Sequence, residues 1–110
     1  MKVAPLQFAE NIDGFAAFID LEKGLSRNTI LGYKGDLNDC ALFLSRKKKV
    51  SSWAEVSSSD LTDWIYTLSG DDYTVSSLAR KLSSLRMFFR YLIKEKIRSD
   101  DPTELMTGPK

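Results

Sequence analysis

Histidine is absent from the 110-residue chain, and cysteine occurs once, as Cys40. Without histidine, neither a Ser-His nor a Cys-His nucleophilic pair can form, and a structural zinc site lacks its usual ligands. A single thiol cannot make an intrachain disulfide and is typical of a reducing compartment. The carboxylates show no spacing that singles out an acid–base pair. We therefore expect no catalytic residue, metal or cofactor in this sequence.

Long apolar runs are also missing. No stretch approaches the ~18 residues of a membrane-spanning helix, and residues 1–5 lack the apolar core of a signal peptide. We expect a cytoplasmic protein with no membrane partner. The chain length fits one domain with one modest core. Its 43% hydrophobic and 28% charged residues are typical of a soluble globular protein.

The charged residues are unevenly distributed, although the formal net charge is only +1. Residues 23–49 carry seven bases and two acids, and residues 74–98 carry seven bases and one acid. Residues 50–73 carry five acids and no base. If the two basic segments share a face, the chain presents a positive surface that suits nucleic acid. On charge alone, solvated helix faces without a partner are an equal alternative.

Apolar spacing predicts four amphipathic helices and no strand. They span about residues 8–22, 26–49, 57–70 and 75–96. Gly24 is the predicted C-terminal cap of the first helix, and Ser26 and Ser57 are predicted N-terminal caps. The segment Asp101–Glu104 has the cap, proline and acid of a further helix start. Short connections between amphipathic helices favour a compact bundle.

The predicted fourth helix has an outer face of short hydroxyl residues and cations, with Glu95 as its only acid. Hydroxyl groups can bond phosphate oxygens, and arginine can bond a guanine edge in two places. This composition is suited to insertion into the major groove of DNA. A helical wheel places these residues opposite the apolar stripe: Ser76, Arg80, Ser83, Ser84, Met87, Arg90, Tyr91 and Lys94.

The predicted second helix places Asn28, Gly32 and Gly35 opposite its apolar stripe. Glycine inside a helix costs on the order of 1 kcal/mol relative to alanine, and core packing does not explain it on an outer face. Close approach to another surface is one explanation, and simple tolerance is the other. Residues 26–29 offer amides, hydroxyls and a cation to an anion, or form an N-cap and nothing more. The basic run 46–49 equally suits the C-terminal end of a helix dipole.

Four short motifs occur in order along the chain. The first three are Glu22-Lys23-Gly24-Leu25-Ser26 with Asn28-Thr29, Tyr33 with Asp36-Leu37, and the helix Ser76–Arg86. The fourth is Asp100-Asp101-Pro102 followed by Gly108-Pro109-Lys110. Together they resemble the core-binding domain of Xer-type tyrosine recombinases, with its "ERGLS", "S-x-N-T", "Y-x-x-D-L", "S-x-A-R-x-L-S-A-L-R", "D-(D/N)-P" and "S-P-K" patterns. The resemblance covers nearly the whole chain.

The resemblance implies an all-α, four-helix SAM-like orthogonal bundle. Residues 1–107 would form the core-binding domain, and residues 108–110 would begin a linker to a catalytic domain. In the family, this domain grips double-stranded DNA at a recombination site, with its second and fourth helices against the major groove. Carried over by position, the DNA-binding residues are Ser26, Arg27, Asn28, Thr29, Gly32, Ser76, Ser77, Arg80, Lys81 and Ser84. Other recombinase protomers in a synaptic tetramer are the further expected partners of the full-length protein, and no small-molecule substrate is expected.

The resemblance also implies that the catalytic arginine, lysine, histidine and tyrosine set belongs to a C-terminal domain. That pattern does not occur in this sequence, so we expect the chain to bind DNA without cutting it. None of the chain's tyrosines is expected to act as the nucleophile: Tyr33, Tyr66, Tyr73 and Tyr91. Gly35 departs from the family pattern, because a base is common after Tyr33-Lys34, and one expected phosphate contact is lost there.

Two other function classes are compatible with parts of the sequence. A SAM-like protein-interaction module could pair its oppositely charged blocks head to tail. A helix-turn-helix regulator is disfavoured, because the polar stretch of residues 45–60 is no tight turn between two of its helices.

Overall fold

A computed structural model describes residues 3–70 and 74–106. Over these residues the chain forms four α-helices and a short 3-10 turn, with no strand, as the sequence predicts. The helices are α1, Leu6–Lys23; α2, Arg27–Lys47; α3, Ser58–Ser69; and α4, Val75–Lys94, with the 3-10 turn at Trp53–Glu55. The chain divides into two compact units, Met1–Trp53 and Ala54–Lys110.

In the first unit, α1 packs against α2. The predicted apolar stripe of α1 is buried. That of α2 is buried from Leu37 to Leu44, whereas Ile30 and Tyr33 are half-buried. Gly24 ends α1 with a φ of 59°, in the left-handed region that favours glycine because it has no Cβ. Ser26 then caps α2, and its hydroxyl accepts a hydrogen bond from the Thr29 amide at 3.2 Å. Both predicted caps are confirmed, so the α1–α2 connection is set by local chemistry.

Trp53 closes the first unit. Its side chain is fully buried, and its indole Nε1 donates a hydrogen bond to the Phe8 carbonyl at 3.1 Å. The Trp53 and Phe8 rings meet edge to face, with centroids 5.1 Å apart and planes at 79°. This anchor lies in the stretch that looks polar in the sequence. Its position shows that residues 45–53 are fixed to the start of α1 by one large side chain.

In the second unit, α3 packs against α4. Ser57 caps α3 as predicted and forms a capping box with Asp60. The Ser57 hydroxyl accepts from the Asp60 amide at 3.1 Å, and the Asp60 carboxylate accepts from the Ser57 amide at 3.0 Å. α4 ends two residues earlier than predicted, because Lys96 adopts a φ of 62°. A left-handed residue cannot continue a right-handed helix.

Arg98 connects three parts of the second unit. Its guanidinium donates to the Val56 carbonyl at 2.8 Å, ahead of α3. It also donates to both carboxylate oxygens of Asp100 at 3.0 Å and lies 5.3 Å from the centroid of the Phe89 ring on α4. The Arg98 side chain is only 7% exposed, whereas that of Asp100 is 76% exposed. The buried guanidinium is therefore held by the Val56 carbonyl and the Phe89 ring within the unit and by the Asp100 carboxylate from the solvent side.

The Asp100–Arg98 pair predicts a dependence of stability on pH. The hydrogen bond and charge of Arg98 lower the pKa of Asp100 below its ordinary range. A lowered native pKa gives stability that is present above the unfolded-state pKa and is lost as the pH falls through the native value. We expect the difference in thermal midpoint between the wild type and Asp100→Asn to be largest near neutral pH and to vanish in acid. A difference that grows in acid would contradict this assignment.

The predicted helix start at Asp101 is wrong for the described residues. Pro102–Leu105 form turns. The Glu104 amide donates a hydrogen bond to the Asp101 carbonyl at 3.2 Å, and the Met106 amide donates one to the Thr103 carbonyl at 3.1 Å. The Asp101 carboxylate accepts from the Thr103 amide, as in a cap, but the turns do not lengthen into an α-helix before Met106. The predicted linker residues Gly108-Pro109-Lys110 lie outside the described residues, as do residues 71–73.

Candidate nucleic-acid interface

The start of α2 presents most of its predicted site residues to solvent. Ser26, Arg27 and Asn28 are exposed, and Thr29 and Gly32 are half-buried. The hydroxyl of Ser26 lies 2.9 Å from that of Thr29. Because the N-terminal end of a helix carries partial positive charge, this end, with the Arg27 guanidinium, suits an anion such as phosphate.

The start of α4 is built in the same way. Thr74 is the N-cap, and its hydroxyl accepts from the Ser77 amide at 3.1 Å and lies 3.0 Å from the Ser77 hydroxyl. Ser76 and Arg80 are exposed, and Ser77 is half-buried. The sequence marked Thr74 only as the place where the helix starts. Like Ser26, Thr74 is a hydroxyl residue three positions before another hydroxyl residue. This similarity adds Thr74 to the candidate DNA-contacting residues.

Two predicted site residues of α4 have a different environment. The side chains of Lys81 and Ser84 are buried, at 5% and 0% exposed, and the Ser84 hydroxyl donates to the Lys81 carbonyl at 2.8 Å. The helical wheel placed Ser84 on the outer face, and this placement is wrong. Phe88 is buried as well. The buried sector of α4 is therefore wider than the predicted apolar stripe, which consists of Leu78, Leu82, Leu85, Phe89 and Leu92. A DNA contact from either side chain stays a prediction, and it would require the side chain to become exposed.

The outer face of α4 continues toward its C-terminal end with two exposed cations, Arg90 and Lys94. Tyr91 is half-buried, and its ring stacks on that of Phe88 with centroids 6.5 Å apart. Burial and the charge of Glu95 raise the pKa of Tyr91. The Tyr91 phenol is therefore protonated at neutral pH, which does not favour a nucleophile.

Lys34 and Gly35 lie on a part of α2 that faces α1. The Lys34 ammonium is 3.4 Å from the Asp13 carboxylate of α1, so its charge is offset within the unit. A Cβ at Gly35 would meet no atom within 4 Å. Packing inside the molecule therefore does not require glycine at this position, and tolerance or an approaching partner remains as the explanation.

The other reactive groups give no alternative site. Cys40 is fully buried, and burial, followed by the charge of Asp39, raises the pKa of its thiol well above the ordinary value. Among residues 3–70 and 74–106, no three histidine, cysteine, aspartate or glutamate side chains are grouped to hold a metal. Within the same ranges, no helix is both long and apolar enough to cross a membrane.

Comparison with known families assigns the chain. Residues 12–96 match the sequence profile of the family described as phage integrase, N-terminal SAM-like domain. The chain belongs to this family, and the all-α, four-helix SAM-like fold expected from the sequence is confirmed.

Individual relatives are tyrosine recombinases. The chain is 41% identical over 99 residues to tyrosine recombinase XerD of Proteus mirabilis, covering 90% of this chain and 31% of the relative. It is 33% identical over 99 residues to XerD of Oceanobacillus iheyensis, covering 90% and 33%. It is 32% identical over 101 residues to tyrosine recombinase XerC of Herpetosiphon aurantiacus, covering 92% and 33%. The chain thus spans about a third of the length of these relatives.

Proposed function

We propose that this chain is the DNA-binding N-terminal domain of a tyrosine site-specific recombinase and that α2 and α4 contact the major groove of a recombination site. The observation that carries the proposal is a repeated one. Each of the two helices has an N-cap residue whose hydroxyl is hydrogen-bonded to the hydroxyl of the residue three positions further on. Each helix also exposes an arginine within its first two turns. Because relatives of the chain are named tyrosine recombinases, we infer that the anion bound at these helix starts is DNA.

The two helix starts divide the work of binding. At α2, the exposed Arg27 and the amide end of the helix neutralise and position backbone phosphates. At α4, the exposed Arg80 has the donor geometry to bond the O6 and N7 atoms of a guanine. Affinity then comes mainly from phosphate contacts, and sequence preference comes mainly from α4.

The proposed role does not include strand cleavage by this chain. Cleavage by a tyrosine nucleophile needs cationic groups that activate it and stabilise the phosphorane-like charge, and the chain has no histidine for such a set. Among the described tyrosines, Tyr91 has a raised pKa. In the full-length protein, cleavage would belong to a separate catalytic domain, and further protomers would complete a synaptic tetramer.

The test is selection of duplexes from a random library by the 110-residue chain, followed by sequencing of the bound fraction. We expect an enriched motif. We expect Arg80→Ala to weaken binding to that motif by about 1–3 kcal/mol and to flatten the preference at one base pair. Arg46→Ala, at the far end of α2, should leave the motif and the affinity unchanged. No enrichment over the input would overturn the proposal, and an unchanged motif with Arg80→Ala would remove Arg80 from base reading.

A second candidate function is supported by an apolar groove between α1 and α2. The groove has a volume of about 580 Å³ and is bordered by the exposed side chains of Val3 and Leu31. Exposed apolar surface of this kind suits a protein partner. Gel filtration of the chain alone distinguishes this protein-interaction role, since it predicts an elution volume that shifts with concentration, whereas DNA binding alone predicts a monomer.

A further inference from the structure

Arg86 is the last residue of the family-like motif Ser76–Arg86, yet the proposed DNA contacts make no use of it. It is half-buried on α4. Its guanidinium Nη2 donates to the carbonyl of Met106 at 2.7 Å. This donor therefore points at the polypeptide that follows α4, and its role lies within the second unit.

Residues 97–106, here called the return segment, run back along α4. The segment starts beside the end of α4, where Arg98 bonds the Val56 carbonyl at 2.8 Å. It ends where Met106 meets Arg86, eight residues before the last residue of α4, which is about 12 Å back along the helix axis. The described part of the return segment thus ends near the middle of α4 rather than beyond its end.

The return segment is held together by its own bonds. The Asp101 carboxylate accepts from the Thr103 amide at 2.8 Å and from the Thr103 hydroxyl at 2.6 Å. Thr103 is 1% exposed and Met106 is 9% exposed. Leu105, between them, is 88% exposed. Because the turns are internally bonded, one firm attachment near the end is enough to fix the orientation of the whole segment.

We propose that Arg86 is a positioning residue, which fixes the place and orientation of the end of the return segment, at Met106, against α4. A charged donor bonded to a carbonyl is short and directional, so it restrains orientation as well as distance. This positioning of the return segment does not rest on the proposed function.

The experiment is ¹⁵N relaxation of the 110-residue chain without DNA, comparing the wild type with Arg86→Met. Methionine keeps an unbranched apolar stem and removes the donor. We expect the amide order parameters of residues 104–106 to fall from about 0.85 to below about 0.6. The amides of Leu85 and Phe89 on α4 should stay near 0.85, which separates lost positioning from general loosening.

Matched variants complete the test. Arg90→Met removes an exposed arginine one turn further along α4 and should leave residues 104–106 rigid. Arg86→Lys retains a cationic donor and should restore part of the order. If Arg86→Met does not fold, the Arg86→Lys and Arg86→Gln chains are compared in its place, with lower order expected in Arg86→Gln. Unchanged order parameters, or an equal fall throughout α4, overturn the proposal. Duplex affinity measured on the Arg86 variants should change by less than about twofold, so a failure of DNA binding is distinguished from a failure of positioning.

Discussion

Replacing Trp53 with alanine is expected to lower the free energy of unfolding by about 3–5 kcal/mol, since a buried aromatic leaves both lost contacts and a cavity. Trp53 is fully buried, and its edge-to-face contact with Phe8 is lost with the ring. The Phe8 carbonyl also loses the indole donor at 3.1 Å. Because the free energy of unfolding of a small domain is only about 5–15 kcal/mol, this substitution removes a large share of it.

Urea unfolding followed by circular dichroism measures this loss. Trp53→Phe keeps an aromatic ring and removes the bond to the Phe8 carbonyl, so a smaller loss of about 1–3 kcal/mol is expected. Tyr66→Ala is the surface control, because Tyr66 is 80% exposed, and it should change stability by less than about 0.5 kcal/mol. A loss below about 1 kcal/mol for Trp53→Ala would show that residues 45–53 are not anchored by this ring.

The same variant reports on the coupling of the two units. The chain has two tryptophans, so Trp53→Ala leaves Trp64 of α3 as the only indole fluorophore. If the two units unfold together, Trp64 fluorescence and helix content of the variant will change at the same urea concentration. Separate midpoints would show that the first unit unfolds while the second stays folded.

The ends of the helices could be predicted from sequence because local chemistry determines them. Gly24 is the residue that adopts a left-handed φ most easily, and Ser26 and Ser57 supply hydroxyls where helix amides need an acceptor. Each of these signals acts within about four residues. Lys96 breaks α4 without such a signal, since lysine has no special preference for a positive φ. Accordingly, the predicted end of α4 is two residues late.

Features that depend on distant residues could not be predicted in this way. Trp53 and Val56 are buried, although the stretch around them is polar in composition. Two isolated apolar residues carry no periodicity, and their burial depends on what the rest of the chain offers them. The same limit applies to Ser84, because a helical wheel gives directions around α4 but not the width of the sector that neighbours cover.

The candidate site could be predicted only in part, because helix positions are local but contacts between distant residues are not. Asn28 and Arg80 are exposed, as their positions opposite the apolar stripes require, and Arg27 is exposed at the start of α2. Thr74 was predicted only as the residue after which the fourth helix starts, since its pairing with Ser77 indicates a contact residue only when it is compared with the matching pair of Ser26 and Thr29. Arg86 belonged to a recognised motif, and its partner, 20 residues further along, is a backbone carbonyl that no side-chain pattern indicates.

The affinity of the chain for duplex DNA is expected to fall by about 40-fold between about 50 and 200 mM salt. Each neutralised phosphate contributes about −0.9 to the slope of log affinity against log salt. If the three exposed cations that are not assigned to a base each neutralise one phosphate, the slope is about −2.7. These cations are Arg27, Arg90 and Lys94. Fluorescence anisotropy titrations of a labelled duplex at several salt concentrations measure the slope.

Arg27→Gln should reduce the steepness of this slope by about 0.9 and weaken binding to all duplexes alike, because Arg27 is assigned to phosphate and not to a base. Arg46→Gln makes the same chemical change near the other end of α2. Arg46 is also exposed, and 19 residues of helix place it roughly 30 Å away. It should therefore leave the slope unchanged. Equal changes for the two variants would mean that DNA is attracted to positive charge in general, and the start of α2 would lose its assigned role. A slope near zero for the wild type would exclude phosphate binding by either helix.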